Sequence, residues 1–271
     1  MERIASLSNA KVKLAASLHS RKHREAEGLF VAEGIRLVEM AAASGWGLRF
    51  AFCTPAAVAG ERVKKILQQL AAVCPVYEVS EEIYRKACGT VTPQGLLVVM
   101  EMQRLSLASL REKDGPLFLV LDGVQDPGNA GAMIRTADAA GCSGVICLTD
   151  TVDVFADKTV RATMGSLFHL PVVTGVPVAE LLEFVQSAGV SLFVTALNAG
   201  ARQHFAADFT GAAAVVFGNE GNGVSPALLS AGGQQIYIPM QGQAESLNVS
   251  TAAAVVLYEA VRQRQAVSQK R

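Results

Sequence analysis

Six consecutive residues, LFLVLD at 117–122, are apolar up to a terminal aspartate, and that continuity restricts the fold more than any other feature. A strand with one wet face alternates polar and apolar residues, whereas a run without alternation has both faces covered. Similar runs recur at GVICL (144–148), VSLFVTA (190–196), AAAVVFG (212–218) and QIYIPM (235–240). Helical periodicity lies between or after them at 133–140, 179–187 and 247–264. Buried strands alternating with helices predict an α/β fold with a parallel sheet covered by helices on both faces. Ligands in such sheets bind at the carboxyl ends of strands, which directs attention to the loops after residues 122, 196, 218 and 240.

The first third of the chain is a separate α/β pattern. Helices are expected at 9–19, 35–43, 62–70 and 82–87, and strands at 29–32, 48–53, 76–79 and 95–103. The charged segment REKDGP at 111–116 ends in Gly-Pro, a turn and linker signal. It sets the expected division: a first domain over 1–104, a linker over 105–115 and a second domain over 116–271.

With 51% hydrophobic and 18% charged residues the chain has the composition of a globular protein with a sizeable core, not of a disordered one. The 24 basic and 24 acidic residues cancel, so any affinity for a polyanion must come from local patches. One such patch is the N-terminal segment, where Arg3, Lys11, Lys13, Arg21, Lys22 and Arg24 face the single acid Glu2 up to residue 24. Five cysteines without a C-x-x-C pair suit free thiols in a reducing compartment, and the four histidines are not spaced near them as zinc ligands would be. No metal is expected. The start, MERIASLSNAKVK, has no apolar core of a signal peptide, and no run approaches the roughly 18–20 residues of a membrane span. A cytoplasmic location is the expectation.

Three of the four loops carry unusual residues. In the first, Asp122 to Gly131, Pro127-Gly128 makes a turn and Asn129 is a candidate cap for a helix bearing Arg135 about one and a half turns in. The second, GNEGNGV at 218–224, has three glycines that let backbone approach a ligand closely. It matches neither G-x-G-x-x-G nor G-x-x-x-x-G-K-[ST], which disfavours a dinucleotide-dependent oxidoreductase or a triphosphate-binding enzyme. Glu220 in this loop suits a ligand with hydroxyls or a cation better than a phosphate. The third loop, IPMQGQAESLNVS at 238–250, opens a helix that is almost wholly apolar to Leu257 and is therefore expected to be buried. Ser246 or Asn248 can cap it, a contribution of about 1 kcal/mol, which leaves the rest of that polar cluster unexplained.

Taken together, Asn129 with Arg135, then GNEGNGV, then IPMQGQAESLNVSTAAAVVLYE resemble the signature motifs of the SpoU (TrmH-like) family of RNA 2′-O-ribose methyltransferases, within the SPOUT superfamily. The likeness spans roughly 117–264. RATMGS at 161–166 is similar to the family's intermediate motif, and the N-terminal 35 or so residues resemble the small α/β RNA-substrate-binding module often fused ahead of that domain.

The resemblance implies a SPOUT-type parallel sheet with a deep trefoil knot, a rare exception to the rule against threaded chains. It also implies S-adenosyl-L-methionine as methyl donor, RNA as substrate (ribosomal rather than transfer RNA) and a homodimer. Carried over position by position, Gly218, Ile238 and Leu247 would line the donor pocket with Thr195, Asn219 and Met240 nearby. Arg135 matches the family's essential arginine, and Asn129, Glu220, Ser246 and Asn248 would position it and the ribose. With a pKa above about 12, Arg135 suits charge stabilisation or a phosphate clamp better than proton abstraction. Lys11, Arg21, Lys22, Arg24 and Arg161 are the basic residues expected to meet RNA. Two other readings compete: a knotted enzyme methylating a base nitrogen, and a family member that binds RNA without catalysis.

Overall fold

The computed structural model describes residues 1–110 and 114–269. The chain divides into two compact units, one comprising Met1–Gln103 with Asp153–His169 and the other Arg104–Val152 with Leu170–Arg271. The first unit thus takes a second, distant segment that a contiguous division does not contain. Of the expected linker, residues 111–113 lie outside the described residues. Its earlier part is not a free tether, because Leu107 and Leu110 of a short 3-10 helix are buried in the core of the second unit.

In the first unit, strands β1 (Glu2–Ile4), β2 (Leu29–Glu33), β3 (Leu48–Cys53), β4 (Val76–Val79) and β5 (Leu96–Glu101) form a mixed sheet in the order β1-β4-β3-β5-β2. Its helices up to residue 103 are α1 (Ala10–Ser17), α2 (Arg21–Glu27), α3 (Ile35–Ala43), α4 (Pro55–Val58), α5 (Glu61–Ala71) and α6 (Glu81–Ala87). Strand β1, helix α2 and helix α4 are too short to leave a periodic signal and are additions to the expected pattern. The 153–169 segment is held by aromatic packing, with Phe155 against Phe30 (5.1 Å between ring centres) and Phe168 against Trp46 (5.4 Å). His19 Nδ1 lies 2.5 Å from an Asp157 carboxylate oxygen.

Arg24 completes this attachment. Its side chain is buried, its Nε and Nη2 donate to Asp153 Oδ2 at 3.0 and 2.6 Å, and its Nη1 donates to the Leu18 carbonyl at 2.6 Å. The expectation that Arg24 meets RNA is therefore corrected: its donors are spent inside the protein. The other basic residues of the segment remain on or near the surface. Lys11 Nζ sits 4.9 Å above the Tyr77 ring, Arg21 pairs with Glu25 one helical turn away at 2.7 Å, and Lys22 is exposed.

The second unit is built on seven parallel strands: β6 (Leu117–Asp122), β7 (Gly144–Leu148), β8 (Val172–Val176), β9 (Ser191–Thr195), β10 (Arg202–Gln203), β11 (Ala213–Gly218) and β12 (Gln234–Tyr237). Their order is β10-β12-β9-β11-β6-β7-β8. Every residue of β6, β7 and β11 is buried, as runs without alternation require. Chain order runs outward from β6 through β7 to β8 and then returns to place β9 and β11 on the opposite side of β6. That reversal is the position at which open sheets form a crevice. The loops singled out from sequence follow β12, β9, β11 and β6, four adjacent strands, so they emerge side by side.

Helix α7 (Pro127–Ala139) follows β6, helix α8 (Asp157–Ala162) belongs to the first unit, and α9 (Val178–Ser187), α10 (Pro226–Leu229) and α11 (Val249–Ser268) complete the second. The expectation that α11 is buried all round fails. Ala253, Val256, Leu257 and Ala260 are buried, while Val255 and Tyr258 are exposed.

Removing one partner of a buried ion pair strands the other charge, at a cost of several kcal/mol. Arg24→Ala is expected to lose about 3 kcal/mol of stability in urea denaturation. A loss below about 0.5 kcal/mol, normal for a surface residue, would return Arg24 to the exposed basic patch.

Candidate active site

The polar loops of the second unit meet through a short chain of hydrogen bonds. Asn248 caps α11, its side-chain oxygen accepting from the Ser250 amide at 2.9 Å and from the Ser250 hydroxyl at 2.6 Å. The other end of the same side chain donates to Asn129 Oδ1 at 3.0 Å. Asn129 Nδ2 in turn donates to Glu220 Oε1 at 3.0 Å. Glu220 also accepts from the backbone amides of Gln125 and Asp126, both at 3.1 Å. One continuous path thus joins the loops after β6, β11 and β12.

Asn129 is not the cap of its helix. Asp126 has that role, its carboxylate accepting from the Asn129 amide at 2.8 Å, which frees the Asn129 side chain to bridge. The backbone amides of Gln125 and Asp126 were not legible as site groups, because a main-chain donor leaves no trace in residue identity.

Burial of the Glu220 carboxyl would push its pKa up, but the hydrogen bonds from Asn129 and from nearby backbone amides outweigh it and hold the pKa below the ordinary carboxylate value. Glu220 is consequently a carboxylate at neutral pH.

The GNEGNGV loop is shaped by its own backbone. Asn219 and Gly223 exchange two backbone hydrogen bonds of 2.9 Å, with Gly223 at φ +70°. The Asn219 side chain accepts from the Gly221 and Asn222 amides at 2.9 and 3.0 Å and donates to the Gly123 carbonyl at 2.9 Å. At Gly218 a Cβ would lie 2.1 Å from the Gly223 carbonyl carbon and 2.2 Å from the Val224 nitrogen. The glycine is required first by its own loop and only then by any ligand, so Gly218→Val would disturb the loop before it reported on binding.

Beside this network is a cavity of about 770 Å³, within the range of small-molecule sites. Thr195, Gly218, Asn219, Ile238, Met240 and Leu247 all line it, as do Glu220, Ser246 and Asn248. Ile236, Ala252 and Val256 extend its apolar wall, and Ala196 to Asn198 form part of its edge. Tyr237 and Ala252 were missed in sequence, since each sits in an element whose pattern reads as ordinary core. Thr195 donates its hydroxyl to the Val216 carbonyl at 2.9 Å and so ties β9 to β11.

Arg135 stands apart. It is exposed on α7, does not line the cavity, and makes no hydrogen bond or ion pair among the described residues. Ser246 is exposed at the cavity edge. Arg161 lies in the first unit and is taken up below. Among the described residues no group of three or more His, Cys, Asp or Glu side chains could hold a metal ion, and no helix is long and apolar enough to cross a membrane.

The chain is similar to known proteins over most of its length. The SpoU rRNA Methylase family model matches residues 116–258, and the MRM3-like substrate binding domain matches residues 9–98. The 23S rRNA (guanosine(2553)-2'-O)-methyltransferase RlmP of Bacillus subtilis is 39% identical, over 95% of this chain and 98% of its own length. The 23S rRNA (uridine(2479)-2'-O)-methyltransferase of Streptomyces viridochromogenes is 32% identical, over 92% of this chain and 88% of its own. Among solved structures, the AdoMet-bound rRNA methyltransferase from Sinorhizobium meliloti superimposes with a TM-score of 0.86 at 33% identity, covering 96% of this chain and 97% of that one.

A depressed carboxylate pKa contributes stability that is complete above the unfolded value and is lost as pH falls through the folded one. Glu220→Gln puts an amide where two backbone donors need an acceptor, so it is expected to be less stable than the wild type at pH 7. The difference should shrink as pH falls below about 4.3, the ordinary glutamate value. A gap in urea stability that is unchanged between pH 7 and pH 3.5 would contradict the ionised, hydrogen-bonded Glu220.

Proposed function

We propose that this chain, which belongs to the SpoU rRNA methylase family, transfers a methyl group from S-adenosyl-L-methionine to a ribose 2′-hydroxyl of ribosomal RNA. The observation that carries the reading is the convergence of two residue sets. All six residues expected at the donor line one cavity, and the expected ribose-positioning residues Glu220, Ser246 and Asn248 line it too. Asn129 links two of them from outside. The RNA and the donor follow from the relatives, several of which carry names of 23S rRNA 2'-O-methyltransferases, and from the AdoMet-bound neighbour. A ribosomal RNA substrate supports a cytoplasmic location.

The cavity fits the donor chemically. Ile236, Ile238, Leu247 and Val256 offer apolar surface for an adenine, while Thr195, Asn219 and main-chain groups of the three loops offer hydrogen bonds. When bound, S-adenosylmethionine supplies an electrophilic methyl on a sulfonium. The Glu220 carboxylate adds negative charge on the same wall.

The ribose hydroxyl is a poor nucleophile until its proton leaves. Arg135 stabilises the developing alkoxide, or clamps an RNA phosphate that accepts the proton; a guanidinium charged at all relevant pH values suits either task. Ser246 and Asn248 orient the ribose, and the Asn248–Asn129–Glu220 chain fixes the loops that carry them.

Arg135 is exposed and does not line the cavity, which supports a homodimer in which it serves the partner's site. Exposed Val255 and Tyr258 on α11 supply apolar surface for that association.

A surface arginine of purely structural role tolerates lysine, whereas a planar clamp does not. Arg135→Lys and Arg135→Ala are expected to keep the melting temperature and the calorimetric donor affinity. Both should lose at least about a hundredfold in single-turnover transfer, roughly 2.7 kcal/mol of transition-state stabilisation. Full activity in Arg135→Lys, or a loss of stability large enough to explain the defect, would remove Arg135 from the reaction.

A further inference from the structure

The first unit holds a cavity of its own, about 380 Å³, lined by Glu33, Arg36, Thr90, Thr92, Arg161 and Met164 among others. Its lining includes two arginines and one glutamate. The carboxylate is already engaged, because Glu33 accepts from the Gly89 amide at 3.2 Å and from the Thr90 hydroxyl. Arg161 is not: its Nη1 is buried without an acceptor among the described residues. A buried cationic donor left unpaired costs more than an ordinary hydrogen bond returns, and such a group needs an explanation.

The backbone holds Arg161 in place at some expense. Met164, whose amide donates to the Arg161 carbonyl at 3.1 Å, has φ +52° and is the one described non-glycine residue with positive φ. Strain of this kind persists where the surroundings over-determine it, and it concentrates at functional sites. The next residue, Gly165, has φ +96°, which disfavours a side chain, and a Cβ there would require the Met40 side chain to move. Gln94, also in the lining, accepts from the Ile35 amide at 2.8 Å at the start of the nine-residue helix α3, and Arg36 is exposed in its first turn. A positive helix end adds to the two guanidinium groups.

We infer that this cavity is a binding site for a phosphate group of the RNA backbone, taken between Arg161 and Arg36 with the Thr92 hydroxyl as a further donor. The inference rests on the proposed RNA substrate and gives the first unit a defined place at which to grip it. Phosphate is the ligand whose charge and multiple acceptor oxygens match two arginines and hydroxyl donors.

The test uses the full chain and deproteinised 23S rRNA in filter binding over a salt series, with donor calorimetry as the check on folding. Arg161→Gln and Arg36→Gln are each expected to weaken binding about tenfold at moderate salt. The salt slope should fall by roughly 0.7 per lost contact to single-stranded RNA, with donor affinity unchanged. Thr92→Glu, at an exposed position, should weaken RNA binding at least as much. It and Arg36→Gln decide the matter if Arg161→Gln fails to fold. Unchanged affinity and slope in these variants would overturn the inference. Titration of inorganic phosphate followed by its ³¹P line separates the sources: phosphate binding that the variants abolish, with RNA affinity indifferent to them, assigns the cavity to a free anion and also overturns it. A wild-type protein that methylates 23S rRNA while the variants bind it normally refutes only the phosphate site. A wild type that neither binds nor methylates RNA refutes the proposed function as well.

Discussion

Asn248, Asn129 and Glu220 form a relay in which each side chain satisfies the next, and the arrangement of the whole site depends on it. The relay joins the loops that follow β6, β11 and β12, the last of these strands separated from β11 by β9. Each link uses both ends of an amide or carboxylate: Asn248 caps its own helix with its oxygen and bridges with its nitrogen, and Asn129 accepts at one end and donates at the other. Glu220 closes the path on two backbone amides at the start of α7. The relay lies at the surface, with Glu220 and Asn248 exposed, so each bond contributes modestly and the bonds together favour one arrangement of the loops. These loops bound the donor-sized cavity.

The relay is possible only because the sheet brings its anchor points together. β12, β9, β11 and β6 are neighbours through parallel pairing, with Gly218 level with Asp122 and Thr195 level with Ile236. A further tie, from the Ser225 amide to Asp122 Oδ2 at 2.7 Å, holds the far end of the glycine-rich loop to β6. Gly218 shows how such a site economises: one residue without a side chain lets the loop fold back on itself and also leaves room beside the cavity.

Much of this was legible in the sequence, for physical reasons. Runs such as LFLVLD and AAAVVFG, short and bounded by turn residues, read as strands buried on both faces, and their alternation with helices leads to a parallel sheet and to the carboxyl-end loops. The residues expected at the donor, which line the cavity, were reached through motif resemblance, as was the expected knot; no periodicity carries threading. What stayed hidden depends on tertiary partners. Arg24 reads like any basic residue of a helical surface until Asp153, 129 positions away, is seen to bury it. Asp126 rather than Asn129 caps α7 because the two compete for one role and the backbone decides. The apolar helix α11 is buried on one side only, because which of its apolar residues meet the core depends on tertiary neighbours that composition does not reveal.

The reading of the chain as a ribose methyltransferase stands or falls on where the methyl group arrives. The full-length protein, incubated with deproteinised 23S rRNA and donor carrying a deuterated methyl group, is followed by complete nuclease digestion and mass spectrometry of the nucleosides. The account predicts the label in one 2′-O-methylnucleoside, on the sugar fragment, at a linkage that resists alkaline cleavage. Label on a base fragment, or none in RNA while the protein binds the donor, would contradict it.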